Sequence, residues 1–195
     1  MYFKKAFLFL TFLFFVGCES EKPTLQSISK GSVSSKEAKQ MHQNIDKNSY
    51  SELLPYLQDN AVIEGDGKRG FLLIFGSNQC KYCDKLKSEI LKSTALKNAL
   101  KDDFLSYYIN LSYQKTHLFK NQKIDTQMLG EGYQIRSTPT LIFLNPKGEV
   151  IFKIVGFMGR EKLEIALEFI SKNLNLDEDQ IAERLYNLYL QKSLL

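Results

Sequence analysis

At 195 residues the chain is long enough for one hydrophobic core with appendages and short for two full domains. Hydrophobic residues make up 44% of it, which excludes wholesale disorder. The formal charge of +4 becomes 24 basic against 22 acidic residues once Lys4 and Lys5 are removed with a leader, too even a balance for the concentrated basic patch of a nucleic-acid binder.

Residues 1–17 read as that leader. Lys4 and Lys5 precede an apolar run from Ala6 to Val16 broken only by Thr11. A membrane-crossing helix needs about 20 apolar residues, so this run has the proportions of a signal peptide. The sequence Phe15-Val16-Gly17-Cys18 resembles a bacterial lipobox, with a small residue directly before the cysteine and Phe15 where an aliphatic residue is usual. That resemblance implies export across the inner membrane, acylation of Cys18 and a lipid anchor on the periplasmic side. Two or three acyl chains exceed the two-signal threshold for stable anchoring. It also resolves the odd count of three cysteines: Cys18 carries lipid, and Cys80 and Cys83 remain as a couple.

Residues 18–34, the lipidated cysteine and a segment rich in Ser, Lys, Glu, Thr and Gln with little apolar content, read as a flexible tether with an r.m.s. reach of about 20–25 Å. A domain over residues 35–173 follows. Ser34 and Glu37 have capping-box spacing, and Ala38, Met41 and Ile45 then share a helical face. A second short helix is predicted around Ser51–Leu57, with Pro55 against it. Gly65, Asp66, Gly67 and Gly70 mark a turn. The five apolar residues Phe71–Phe75 predict a strand buried on both faces. Gly76-Ser77-Asn78-Gln79 breaks it. A helical stretch then runs from Cys80 to about Leu100, with Leu86, Ile90 and Leu91 at helical spacing and Ser93 capping a fresh turn.

Phe104–Leu111 predicts a second strand, completing β-α-β. The polar residues 112–132 read as a loop carrying a short helix. Thr140–Leu144 predicts a strand directly after Pro139, Asn145–Gly148 a turn, and Val150–Val155 its antiparallel partner. A helix over Arg160–Asn173 presents Leu163, Ala166, Leu167 and Ile170. The fold class is therefore α/β, a β-α-β then β-β-α order with a mixed sheet flanked by helices, an N-terminal helical extension and an extra C-terminal helix. That last helix, within residues 174–195, opens on Asp177-Glu178-Asp179 and carries the stripe Ile181, Leu185, Leu188 and Tyr189, which is expected to pack on the domain.

Cys80-Lys81-Tyr82-Cys83 stands where a buried strand gives way to a helix. Unpaired N–H groups and the positive end of the helix dipole stabilise a thiolate there, and Lys81 adds positive charge. Lys85 and Lys87 contribute a weaker, screened share, and Asp84 opposes them. The first cysteine is at the exposed tip, where it can attack a disulfide; the second lies a turn along and can resolve the product. Two other readings compete. Half a zinc site would need two more ligands, and only His42, His117 and carboxylates remain, without paired spacing. An inert buried disulfide conflicts with the strand-to-helix position. His42 is expected on a solvated helix face and His117 in a polar loop, neither with a role. No metal and no cofactor are expected beyond the redox couple itself.

Phe75-x-x-x-x-Cys80-x-x-Cys83, then Tyr133-x-Ile135-x-x-Thr138-Pro139-Thr140, then a hairpin ending in Gly156-Phe157 resemble the thioredoxin superfamily over about Phe71–Asn173. Within it the chain is similar to the exported SoxW-type group and to the C-terminal domain of the periplasmic thiol–disulfide interchange electron carrier. Tyr82-Cys83 and Thr138-Pro139 are similar to the periplasmic disulfide isomerase. The resemblance implies the thioredoxin fold, nucleophilic Cys80, resolving Cys83, a motif tuned by Lys81 and Tyr82, and a cis bond at Pro139 that frees the Thr138 backbone to pair with a substrate strand. It implies protein thiol or disulfide substrates and a membrane electron donor. Ile74 stands where thioredoxin carries a buried Asp, and there is no tryptophan, so the proton acceptor for Cys83 is unassigned. The direction of electron flow favours a reductase or isomerase. The alternatives are a disulfide-forming oxidase of the same fold or a non-enzymatic lipoprotein that binds partners.

Overall fold

Phe71–Phe75 form the heart of a strand that is buried along its whole length, Gly70–Gly76. This computed structural model describes residues 44–195. The leader, Cys18, the tether, the helix expected from Ser34 and His42 lie outside the described residues. The strands in chain order are β1 (Val62–Ile63), β2 (Gly70–Gly76), β3 (Phe104–Asn110), β4 (Thr116–Phe119), β5 (Gln122–Asp125), β6 (Thr140–Leu144) and β7 (Val150–Val155). The helices are α1 (Lys81–Lys92), α2 (Thr94–Asn98), α3 (Thr126–Gly132), α4 (Arg160–Ser171) and α5 (Glu178–Gln191).

The main sheet has the order β3-β2-β6-β7, with β2 parallel to β3 and antiparallel to β6. The expected β-α-β then β-β-α order is therefore present as β2-α1-β3 and β6-β7-α4. Alternate residues divide between two cores. Leu72, Ile74, Phe104, Tyr108, Leu141 and Phe143 pack beneath α1, α2, α4 and α5. Phe71, Leu73, Phe75, Leu105, Tyr107, Ile109, Ile142 and Leu144 fill the opposite face with Ile63 and Leu129. Because both faces are covered, the central strands read as continuous apolar runs.

The helical stretch after Cys80 is divided at Ser93, whose hydroxyl accepts from the Leu96 N–H at 3.1 Å and starts α2. A π-type turn over Ala99–Asp103 then delivers the chain to β3. In α5, Asp177 and Gln180 form a capping box, and Ile181, Leu185 and Tyr189 are buried against the domain, as the stripe predicted.

Two regions differ from the sequence-based expectation. The short helix near Ser51–Leu57 is instead a 3₁₀ segment over Ile45–Tyr56, kinked at Tyr50, with Pro55 inside it. Tyr50 is held there by stacking on Tyr108, ring centroids 4.6 Å apart. Residues 112–132 are a β-hairpin followed by α3, and β1 adds to the hairpin to give a second sheet of order β1-β4-β5. The two-residue hairpin loop is Lys120-Asn121, both at positive φ, the conformation that matches strand twist. His117, expected in a polar loop, is 1% exposed.

A buried polar cluster fastens the hairpin and the 3₁₀ segment to β3. Lys115 Nζ lies 3.3 Å from Asp46, both side chains 4% exposed, and also donates to Asn60 Oδ1. The Asn60 amide donates to Asp46 and to the Tyr108 carbonyl, and Tyr50 donates its hydroxyl to Asp46. A buried ion pair is tolerable when its remaining hydrogen-bonding capacity is met this way.

Candidate functional site

Cys80 is the N-cap of α1, and its Sγ accepts from the Cys83 N–H at 3.1 Å. One of the unpaired donors of the helix start is thus turned onto the sulfur. Helical spacing sets Cys83 with Leu86 and Ile90 on the inward face, which leaves Cys83 2% exposed, while Cys80 is half-buried. The two are joined as a disulfide with Cα atoms 5.2 Å apart. Gln79, at a φ of 55°, turns the chain sharply between β2 and the motif.

Lys81 is exposed on the first turn. Tyr82 is 56% exposed and stacks on Phe157 with centroids 6.2 Å apart, and Lys85 Nζ lies 4.5 Å above the same ring. An aromatic shelf with a cationic edge therefore flanks the disulfide. Lys87 faces away from the sulfurs: it donates to the Ser49 carbonyl at 2.7 Å and pairs with Asp84 at 3.0 Å and Glu52 at 3.5 Å. Asp84 is thereby engaged on the flank of α1.

The segment before β6 brings Thr138 to the sulfurs. Its carbonyl oxygen is 3.5 Å from Cys80 Sγ, and its hydroxyl donates to that sulfur at 3.4 Å. The Thr138–Pro139 peptide is cis, and Pro139 O accepts from the Gly156 N–H at 2.8 Å. Cys80, Cys83, Tyr82, Thr138 and Pro139 are gathered at one end of the sheet, with Lys81 on its rim. Among the described residues, no group of three or more His, Cys, Asp and Glu side chains could hold a metal ion. His117 lies in the buried cluster, its Nδ1 2.6 Å from the Asn60 carbonyl and its Nε2 2.9 Å from Thr126 Oγ1.

Sequence reasoning passed over the polar residues supporting the motif loop. Ser77 Oγ is 2.8 Å from Thr138 Oγ1. The Asn110 amide donates to Asn78 at 2.9 Å and Ser49 at 2.7 Å, and Asn78 N–H donates to Ser112. These partners are 32 or more positions apart, so no local pattern signals them. Ser77 and Thr138 are related only by the observed β2–β6 register, which places them opposite one another.

Residues 57–171 match the family model described as a thioredoxin-like domain. A thioredoxin-fold protein from Helicobacter pylori is 30% identical, with a TM-score of 0.71 over 76% of this chain and 98% of that one. A thioredoxin from Thermus thermophilus is 20% identical, with a TM-score of 0.44 over 55% of this chain and 77% of that one. StoA from Bacillus subtilis is 21% identical, with a TM-score of 0.36 over 50% and 81% respectively. None of the curated proteins matches the sequence.

Proposed function

This chain belongs to the thioredoxin-like domain family, and we propose that it is a thiol–disulfide oxidoreductase acting on protein substrates through Cys80 and Cys83. The observation that carries this reading is the Cys80–Cys83 disulfide at the N-terminus of α1, with the outer sulfur half-exposed beside the Thr138 carbonyl and the inner one buried.

In the reducing direction, the Cys80 thiolate attacks one sulfur of a substrate disulfide. That S–S bond breaks, a mixed disulfide forms, and the departing substrate thiolate takes a proton from solvent. Cys83, deprotonated in turn, attacks Cys80 Sγ, restores the internal disulfide and releases the second substrate thiolate. Two electrons pass from the protein to the substrate, and a donor dithiol must return them. Thr138 offers its backbone to the strand that carries the substrate cysteine, and the Tyr82–Phe157 shelf receives apolar side chains beside it.

The direction we assign is reductase or isomerase, supported by the similarity of the Tyr82-Cys83 and Thr138-Pro139 pairs to the disulfide isomerase pattern. We place the protein on the periplasmic side, held by lipid on Cys18 and kept reduced by a membrane electron donor; the basis is the leader and Gly17-Cys18. Reduction of insulin disulfides by purified protein with dithiothreitol tests the activity, and its absence refutes the reading. Alkylation trapping of Cys80 and Cys83 in cells tests the direction: a reduced pair is expected, and a fully oxidised pair would reverse it. Cys18→Ala is expected to release the protein from membranes or to leave its leader uncleaved. Unchanged fractionation and mobility would remove the lipid anchor.

A further inference from the structure

Ser77 is the first residue beyond β2, and Thr138 lies two residues before β6 begins at Thr140. These strands are antiparallel with Phe75 opposite Thr140, so continuing the register by two residues sets Ser77 opposite Thr138. Their hydroxyl oxygens are 2.8 Å apart. The facing segments are fixed independently. Leu111 N–H donates to Gly76 O at 2.8 Å, and the Thr140 hydroxyl donates to Ser137 O at 2.8 Å. The pairing is a product of the sheet.

Thr138 Oγ1 is 3.4 Å from Cys80 Sγ. A hydroxyl carries one proton, and neither a disulfide sulfur nor a thiolate has any to give. The contact to sulfur therefore uses the Thr138 proton, which leaves the Ser77 proton to fill the contact between the oxygens. The order of donation is Ser77 to Thr138 to Cys80. A chain in which each hydroxyl donates onward strengthens the last bond, the more so when the terminal acceptor is charged.

We propose that Ser77 is a positioning residue for disulfide exchange: it holds the Thr138 hydroxyl proton on Cys80 Sγ and so favours the thiolate form of that sulfur. This rests on the oxidoreductase reading for its purpose, though not for its geometry. Without the Ser77 hydroxyl, Thr138 can turn its proton elsewhere, and the thiolate loses part of its support. The reduced form is then less favoured relative to the disulfide.

The test uses the full chain, reduced and then alkylated with iodoacetamide across pH, alongside equilibration with glutathione. Ser77→Ala is expected to move the alkylation midpoint of Cys80 upward. It should slow alkylation below the midpoint about three- to tenfold, as expected for weakening a hydrogen bond to a charged group. The equilibrium with glutathione should shift toward the disulfide by a similar factor. Ser77→Thr, which keeps a hydroxyl, should restore both readouts. Thr138→Val should act in the same direction and more strongly, and adding Ser77→Ala to it should change nothing further, because the intermediate donor is gone. Additive effects, or a midpoint in Ser77→Ala equal to wild type, would overturn the proposal. Ser77→Gly serves as a second hydroxyl-free variant if the alanine form does not fold. A wild-type protein that exchanges nothing with glutathione would refute the oxidoreductase reading, while the alkylation midpoints would still decide the role of Ser77.

Discussion

The carbonyl oxygen of Thr138 stands 3.5 Å from the Sγ of Cys80, across 58 positions of sequence. The first sulfur is thus framed by a main-chain acceptor from the segment before β6 and a main-chain donor, the Cys83 N–H, from α1. A substrate strand that brings its cysteine to Cys80 meets the Thr138 backbone in the same step, whereas Cys83 is 2% exposed and shielded from it.

That asymmetry assigns the two cysteines different failures. Cys80→Ser is expected to abolish exchange. Cys83→Ser should accumulate mixed disulfides with substrate proteins, since attack survives and resolution does not. Non-reducing gels of cells expressing each variant read this directly. Equal trapping by the two would reverse the assignment of nucleophile.

Gly76 closes β2 where the Tyr108 side chain passes. A Cβ added there would run into the Tyr108 hydroxyl and stand 2.6 Å from its Cζ. Tyr108 is 3% exposed and stacked on Tyr50, so it cannot swing aside as a surface side chain would. Gly76→Ala is expected to lower stability by about 1–3 kcal/mol, as overpacking does. Tyr108→Phe should relieve only part of this, because the ring carbon still crowds the site. Urea unfolding of the single and double variants measures both, and a neutral Gly76→Ala would show that the packing yields more than the geometry allows.

The C-terminal helix is held by its cap and by its apolar stripe, and the two can be weighed separately. Asp177→Ala removes the acceptor for the Gln180 N–H at 2.9 Å and should cost about 0.5–2 kcal/mol. Ile181→Ala empties a fully buried position and should cost about 2–5 kcal/mol. Should both variants unfold with the wild-type midpoint, α5 would not be part of the cooperative unit.

Periodicity reports burial, and that is why the main sheet, the helix after Cys80 and the α5 stripe were legible in the sequence. The run Phe71–Phe75 has no polar residue to suggest a solvated face, and the structure has none. The strands β4 and β5 were not legible for the converse reason. Thr116–Phe119 and Gln122–Asp125 are short, mostly polar and only half covered, and the buried side chain that anchors them is a histidine rather than an aliphatic residue. Lys120 at positive φ also hid the turn, since asparagine or glycine is the usual signal there. At the site, Cys80 and Cys83 announce themselves by spacing. Ser77 has no such mark: its partner is 61 positions away, and only the antiparallel register of β2 and β6 relates the two.

The buried histidine gives the hairpin a pH dependence whose sign follows from its contacts. The Asn60 carbonyl can only accept, so His117 Nδ1 carries a proton, while Nε2 and the Lys115 carbonyl both face the single proton of the Thr126 hydroxyl; burial favours the neutral ring. Burial lowers the pKa from the ordinary 6.5, and the nearby Lys115 ammonium lowers it further, although the bond to Asn60 acts in the opposite sense. The unfolded chain takes up its proton near pH 6.5 while the folded protein resists it. Stability is therefore fully present above about pH 6.5 and declines as the pH falls toward the folded value, by about 1.4 kcal/mol for each unit of depression. Asp59 and Asp66, both held below the ordinary carboxylate range, titrate beneath this window and do not mask it. Urea midpoints at pH 7.5 and 5.5 are expected to fall for the wild type and to fall less for His117→Gln, whose amide can still donate to Asn60 but takes up no proton. If the two proteins lose stability in parallel between those pH values, His117 is not the group responsible.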